Sequence, residues 1–315
     1  MAVTSMSQSS IGDFGKRNTF TNPVVTYGWQ ELEVIGDYGY LIFTKSSNFV
    51  VANGNLSADI LCVGAGGGGG YDVGGGGGGG AIEGAGPGYY ASQTLPVGSY
   101  YVEIGAGGLA AGVTLSVGGD TIFNGASTIT AKGGGGGGGT NPAGVTGGPG
   151  GSGGGGRATA STATGGTASG NNTNVGGNVS NVSPWFGGGG GGGATAVGVA
   201  AASNNPGEGG EGLALTTIDA NLTAANFDSF TGMTVISSGG GGCNIRSNTG
   251  TMAAGALGGT GGGQGQGSGG SYSPFNEATD PTSFGSGGGG GAWTAQSTGI
   301  GSSGYSGLVI VRYAL

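Results

Sequence analysis

The chain has 315 residues, of which 89 are glycine, against 7 Lys/Arg, 15 Asp/Glu and no histidine, for a net charge of −8. An acidic, lysine-poor chain repels phosphate backbones and anionic headgroups, so nucleic acid is not an expected partner, and no apolar run reaches the ~18 residues that span a bilayer. Without histidine there is no Ser-His-Asp or Cys-His pair, and no metal-ligand cluster stands in the sequence, so neither enzyme activity nor a cofactor is expected.

Residues 1–28 read as an extended N-terminal segment dominated by Ser, Asn and Thr. It is either a frayed terminus or a short attachment peptide that docks through Phe14, Lys16, Arg17 and Phe20. Met1 to Ser10 is polar, so no secretory signal is expected and the chain should be made and folded in a cytoplasm. Residues 29–315 form one glycine-rich unit, with strands mainly in 29–63, 97–131 and 305–314. Short β-branched and aromatic stretches at 29–35, 38–44, 48–51 and 59–63 predict strands. In 38–44, period two puts Leu41 and Phe43 on one face and Tyr40 and Ile42 on the other. A further strand is expected at 100–104. Gly118-Gly119 predicts a tight hairpin between 115–117 and 121–123. Residues 308–313 supply a closing strand. Both chain ends thus contribute to one small antiparallel sheet.

Between the strands lie eight glycine blocks, at 64–70, 74–80, 133–139, 147–156, 187–193, 239–242, 258–267 and 287–291. Helix is ruled out there, because glycine costs about 1 kcal/mol per interior position relative to Ala. Flexible linkers usually mix Ser, Thr or Glu into their glycine, and these runs hardly do. Their similar lengths fit a bundle of polyglycine II helices with three residues per turn and outward-pointing N–H and C=O groups, in which a seven-residue run spans roughly 22 Å. The fold class expected is therefore all-β: a small antiparallel sheet domain carrying a polyglycine II bundle, with essentially no α-helix. If each run crosses once in alternating direction, the even-numbered runs return to the sheet. The far end would then carry 71–73, 140–146, 194–238 and 268–286.

Cys62 and Cys243 each border a glycine run and are expected to be free, buried thiols. The pairs Glu208/Glu211 and Asp219/Asp228 are read as loop charges that aid solubility. GxGxxG patterns arise from composition alone, and no Gly-Lys-Ser or Gly-Lys-Thr occurs. Trp185-Phe186 and Trp293 abut glycine runs and read as caps on the bundle. Aromatic residues interleaved with amides and carboxylates suit a surface that binds saccharides or protein loops. The candidates for such a surface are Phe227, Phe230, Tyr272, Phe275, Asn276, Glu277, Asp280 and Phe284.

The ordered segments Tyr40-Leu-Ile-Phe-Thr44, Ala58-Asp-Ile-Leu-Cys-Val-Gly-Ala-Gly66, Tyr101-Val-Glu-Ile-Gly-Ala-Gly-Gly108, Ile129-Thr-Ala-Lys-Gly-Gly134, Gly147-Gly-Pro-Gly-Gly-Ser-Gly153 and Gly304-Tyr-Ser-Gly-Leu-Val-Ile-Val-Arg-Tyr313 are similar to the glycine-rich domain of bacteriophage tail and fibre proteins. The chain also resembles tail-tip adhesins that display variable loops on a polyglycine bundle, although the large attachment domain of those adhesins has no counterpart in it. The resemblance implies a virion protein, assembled in the host cytoplasm, that binds a host surface polysaccharide or outer-membrane protein through its loops. It also implies other virion proteins as partners for the N-terminal segment, and a homotrimer. The rival expectation is a structural decoration or spacer of capsid or tail. An ice-binding role fits poorly with irregular runs and long loops, and a matrix role fits poorly with the polar N-terminus.

Overall fold

The computed structural model describes residues 24–27, 30–84, 89–110, 115–139, 146–158, 162–180, 185–202, 205–246, 255–265, 267–268, 275–292 and 299–315. In chain order the strands are β1 (Val24–Tyr27), β2 (Gln30–Ile35), β3 (Tyr38–Phe43), β4 (Ser47–Val51), β5 (Leu56–Val63), β6 (Ile82–Glu83), β7 (Ala91–Leu95), β8 (Gly98–Glu103), β9 (Thr121–Asn124) and β10 (Thr128–Ala131). They continue with β11 (Trp185–Gly187), β12 (Leu213–Ala214), β13 (Val235–Ile236), β14 (Asn244–Arg246), β15 (Gly267–Ser268), β16 (Phe275–Asn276) and β17 (Leu308–Ala314). Among the described residues the one α-helical turn, α1, is Leu215–Ile218. The all-β expectation is met.

The base of the molecule is two stacked sheets. One has the order β2-β3-β17-β5-β6, with β7 also paired to β5, and the other β1-β4-β8-β9-β10. As expected from the two chain ends, β17 lies antiparallel between β3 and β5, pairing Val311 with Leu41 on one side and with Ile60 on the other. Period-two alternation then divides the core. Leu41, Phe43, Ile60, Cys62, Val309 and Val311 face the second sheet and meet Phe49, Val102 and Phe123. Tyr40, Ile42, Leu61, Val63, Leu308 and Ile310 face the other way and meet Leu215, Leu222, Phe227, Phe230 and Ile236. Both faces of the central sheet are therefore buried, which is why 60–63 of β5 and 308–311 of β17 read as continuous apolar runs rather than alternating ones.

The glycine runs leave this base as a hydrogen-bonded bundle. Strand β5 continues into 64–70, which runs outward, and 74–80 runs back beside it. Gly64, Gly67 and Gly70 donate to the carbonyls of Ala81, Gly78 and Gly75 at 2.9, 2.9 and 2.8 Å. The intervening residues bond elsewhere: Ala65 and Gly68 to Gly119 and Ser116, and Gly66 and Gly69 to Tyr305 and Ser302. Each neighbour is thus met every third residue, the repeat that a helix with three residues per turn produces. Run 74–80 is ringed on all sides by 64–70, 133–139, 152–156, 187–193, 237–243 and 286–291. A Cβ placed on Gly77 would stand closer than 3.0 Å to the carbonyl of Gly67, and one on Gly76 would meet Gly240 likewise. The Cα–H groups therefore point at neighbouring carbonyls, adding weak contacts to the N–H···O bonds.

The path differs from simple alternation. The first three runs go out, in and out. The fourth block holds two passes, because 147–151 comes in beside 133–136 and 152–156 goes out again. From there the phase is shifted: 187–193 runs inward, while 239–242 and 287–291 run outward. The expectation that the even-numbered runs return to the base fails for the sixth and eighth. The second reason is that passes occur without pure glycine. Segments 105–109, 115–119, 163–169, 174–179, 196–201, 205–211 and 299–305 all join the lattice. These lie at the periphery, where only the inward face needs a missing Cβ. In 196–201, Gly198 and Ala201 are buried while Val197 and Val199 are exposed.

Two further expectations are corrected. Gly118-Gly119 does not turn a hairpin: 115–119 is a bundle pass, and Gly118 is small because the carbonyls of Ala65 and Gly66 close on it. The hairpin there is β9–β10, with Thr128 opposite Asn124. Residues 213–236 do not sit at the far end. They fold back on the base, because Leu215, Ile218, Leu222, Phe227 and Phe230 supply the cover for the second face of the central sheet. Cys62 and Cys243 are free and buried, as expected, and burial pushes the Cys243 thiol up to about 12.

Replacing Gly77 by Ala should destabilise the fold by about 3 kcal/mol or more, since neither backbone can retreat from the collision. Val197→Ala, on the exposed side of a peripheral pass, should change stability by less than about 0.5 kcal/mol. Denaturant unfolding of the two variants checks the contrast. In a crystal structure at high resolution the run glycines should cluster near φ −75°, ψ +145°; scatter would overturn the polyglycine II assignment.

Candidate recognition face at the far end of the bundle

The charged groups divide between two places. At the base, Arg312 on β17 bonds Asp59 of β5 through Nη2 (2.7 Å) and Asp219, just after α1, through Nη1 (2.8 Å). Tyr40 Oη donates to the same Asp219 oxygen at 2.8 Å and accepts from Asn221 Nδ2 at 2.9 Å, while Ser92 Oγ donates to Asp59. The guanidinium stacks on Tyr90 and Tyr38, 4.4 and 5.1 Å from the ring centroids. Glu31 adds a second tie by accepting from the backbone N–H groups of Asp228 and Ser229 at 2.7 and 3.1 Å. Burial works to raise the Asp59 carboxyl, but bonding from Ser92 and Arg312 outweighs it and the net shift is downward. Burial raises Tyr40 and Tyr90, and Arg312 is held well above its usual range because its two carboxylate bonds outweigh its own burial. Arg312, Tyr40 and Glu31 tie Asp219, Asn221, Asp228 and Ser229 to the sheet, so the cluster is a structural clamp, although the buried Tyr90 hydroxyl finds no partner in it. Among the described residues no three of His, Cys, Asp and Glu converge on one point.

The candidate binding residues fare unequally. Phe227, Phe230 and Phe284 are 1%, 0% and 5% exposed, and form an edge-on chain from Tyr40 through Phe227, Phe230 and Phe284 to Tyr305. They are core residues of the base, not a recognition surface, because the central sheet needs aromatic volume on its second face. Glu277 and Asp280 are exposed on the pass leading back from the far end, and Asp280 Oδ1 accepts from Ser303 N at 3.1 Å. Phe275 and Asn276 form β16 of a small sheet ordered β11-β14-β15-β16, in which β14 and β15 run parallel. This far-end sheet also carries Trp185 and Phe186 on β11. Tyr272, Trp293 and the attachment candidates Phe14, Lys16, Arg17 and Phe20 lie outside the described residues, as do residues 140–145.

The turn 71–73 lies at the far end, as the alternating path expects, but its conformation is not legible in the sequence. Runs 64–70 and 74–80, inside the bundle, are joined by Tyr71-Asp72-Val73. Asp72 and Val73 have φ of +51° and +62°, a left-handed backbone unusual for any non-glycine residue and most strained for a β-branched one. Arg157 fastens the turn: its Nη2 lies 3.0 Å from Asp72 Oδ2 and its Nε donates to the Asp72 carbonyl at 2.8 Å. Val73 packs against Ala158, Ala163, Val179 and Ala201. The available signal was a three-residue interruption between two otherwise pure glycine runs.

Because Asp59 is depressed in the folded state, its contribution is present above the unfolded value near 3.9 and is lost as pH falls through the folded pKa. Stability should therefore drop on acidification below about pH 4, and Asp59→Asn should start lower and show a flatter acid limb in pH-dependent thermal melts. Asp219→Asn should cost about 2 kcal/mol or more, since it leaves Arg312 and Tyr40 with an impaired acceptor.

No curated protein matches the chain. The family model described as a glycine-rich domain matches residues 44–314, a span that takes in β5, the whole bundle and β17. Strands β1, β2 and β3 precede that span; the match covers most of the chain, and the chain belongs to the glycine-rich domain family.

Proposed function

We propose that this chain is a bacteriophage fibre or tail-tip protein that binds the host cell surface through its far end and attaches to other virion proteins through its base. The observation that carries the reading is the division of labour along the bundle. The base packs Tyr40, Phe227, Phe230 and Phe284 into its core and ties Arg312 to Asp59 and Asp219, whereas the far end carries a strained turn and a small sheet of short strands. A bundle whose passes are all hydrogen-bonded to one another is a stiff mount, on which turn sequence can vary without disturbing the core. The role proposed is non-enzymatic: the chain has no histidine, and Asp59 and Asp219 at the base are both bonded to Arg312. Exchange of residues 267–280 should change host range or adsorption while particles still assemble. If the exchange blocks assembly and leaves adsorption untouched, the role is decoration.

The decoration or spacer reading draws support from β2, which ends the central sheet with Leu32 and Val34 exposed at 42% and 57%. An apolar edge strand is normally covered by a partner. In the adhesin reading the same edge serves virion attachment or a homotrimer. Light scattering should give a multiple of the 29.3 kDa chain mass, and Leu32→Lys with Val34→Lys should return the monomer. A wild-type chain that stays monomeric overturns the trimer.

A further inference from the structure

We infer that Asn53 is a self-modifying residue: its side chain closes on the backbone nitrogen of Gly54, and the imide so formed is hydrolysed to aspartate and isoaspartate at the pole of the base opposite the bundle. The sequence holds two Asn-Gly pairs, Asn53-Gly54 and Asn124-Gly125. Asparagine is a thermolabile side chain, and a glycine after it leaves the next peptide nitrogen open, since no Cβ shields it. The two pairs stand in opposite surroundings. Residues 52–55 form the corner between β4 and β5, and so between the two stacked sheets. Val51 and Leu56 are buried on either side, while all four corner residues are exposed. Gly54 has φ +65°, and nothing stands within 4 Å of where its Cβ would lie. Among the described residues no group bonds the Asn53 amide or the Gly54 N–H. The side chain is therefore free to turn onto that nitrogen, and the nitrogen's proton is free to leave.

Asn124, by contrast, is held. It ends β9 opposite Thr128 of β10, and an extended backbone carries the next nitrogen away from its own side-chain carbonyl. Gln93 grips the loop beyond: Nε2 donates to the Ser127 carbonyl at 2.8 Å, and Oε1 accepts from Ser127 N at 3.1 Å. A Cβ on Gly125 would collide with the same Oε1. The reaction at Asn53 needs only water. The Gly54 nitrogen gives up its proton and bonds to Asn53 Cγ, while the bond from Cγ to Nδ2 breaks and ammonia leaves. Water then opens the five-membered imide. Cleavage at Cγ gives aspartate, and cleavage at the backbone carbonyl gives isoaspartate, in which the chain runs through the side chain. Nothing is oxidised or reduced. Each event adds one carboxylate to a chain already at −8. Val51 pairs with Gly98 and Leu56 with Leu95, so the new charge falls beside the turn that carries Val97, 60% exposed. The isoaspartate form also lengthens the link between the two sheets.

The test incubates the full-length chain, folded and in urea, at mildly acidic and mildly alkaline pH, and follows the two Asn-Gly peptides by mass spectrometry. In the folded chain the Asn53 peptide should gain about 1 Da and separate into aspartate and isoaspartate forms. It should convert about tenfold or more faster than the Asn124 peptide, and urea should remove the difference. Conversion should also be about tenfold or more faster at the alkaline pH, because the reacting nitrogen must lose its proton. Asn53→Gln, whose longer side chain cannot close the same ring, should melt with the parent and stop the growth of an acidic species on anion exchange. Equal rates at the two pairs in the folded chain overturn the inference. So does an Asn53 peptide that stays unchanged while the urea-unfolded chain converts. A rate indifferent to pH removes the Gly54 nitrogen from the reaction, and an acidic species that grows as fast in Asn53→Gln places the reaction elsewhere; either result overturns the assignment as well.

Discussion

Every feature of this molecule depends on how closely two peptide backbones can approach when no Cβ lies between them. In the interior of the bundle each glycine gives one N–H, accepts one, and turns its Cα hydrogens toward a further carbonyl. Ordering a glycine costs about 1–2 kcal/mol of backbone entropy, while a hydrogen bond returns about 1 and a Cα–H···O contact about half that. The terms nearly cancel for one run, so a run is stable only when neighbours surround it. This makes the lattice cooperative and explains why run 74–80, ringed on every side, is glycine throughout.

The sheets and the bundle are one hydrogen-bonding system with two periods. Strand β5 passes without interruption into 64–70, β10 into 133–139, and 299–305 into β17. Where side chains of alternating facing give way to glycine, pairing in a plane gives way to pairing in several directions, because nothing now blocks the third. The base thereby fixes the rotation and height of the first runs, and each later pass inherits its register from those already in place. The Arg312 clamp secures the cover over the central sheet, so the part that sets register is also the most heavily braced.

How much of this the sequence discloses follows the same physics. The alternation in Tyr40-Leu-Ile-Phe is legible because both faces are apolar and both find a core. The interior runs are legible because all three positions per turn must be glycine. Peripheral passes such as 196–201 are obscured, since one glycine or alanine in three suffices there and Val197 or Val199 imitates a strand. Phe227, Phe230 and Phe284 mislead for another reason. Aromatic residues among Asn and Asp look like a surface, and only the three-dimensional path shows that 213–236 returns to cover the sheet. The turn 71–73 carries a plain signal, an interruption of glycine by Tyr-Asp-Val, whose meaning depends on dihedral angles that composition does not encode.

The placement of β17 bears on how the molecule is made. Arg312 meets Asp59 across 253 residues of chain, and the strand that carries it enters the middle of a sheet rather than its edge. Until that strand is synthesised, β3 and β5 face each other across an empty lane, and the runs that spring from β5 have no fixed register to propagate. Folding is therefore deferred until β17 is available, and its rate is governed by a long-range closure that topology makes slow. A glycine-rich, weakly charged nascent chain must stay unpaired throughout that interval. The yield of folded molecules then depends on that closure as well as on the stability of the finished lattice.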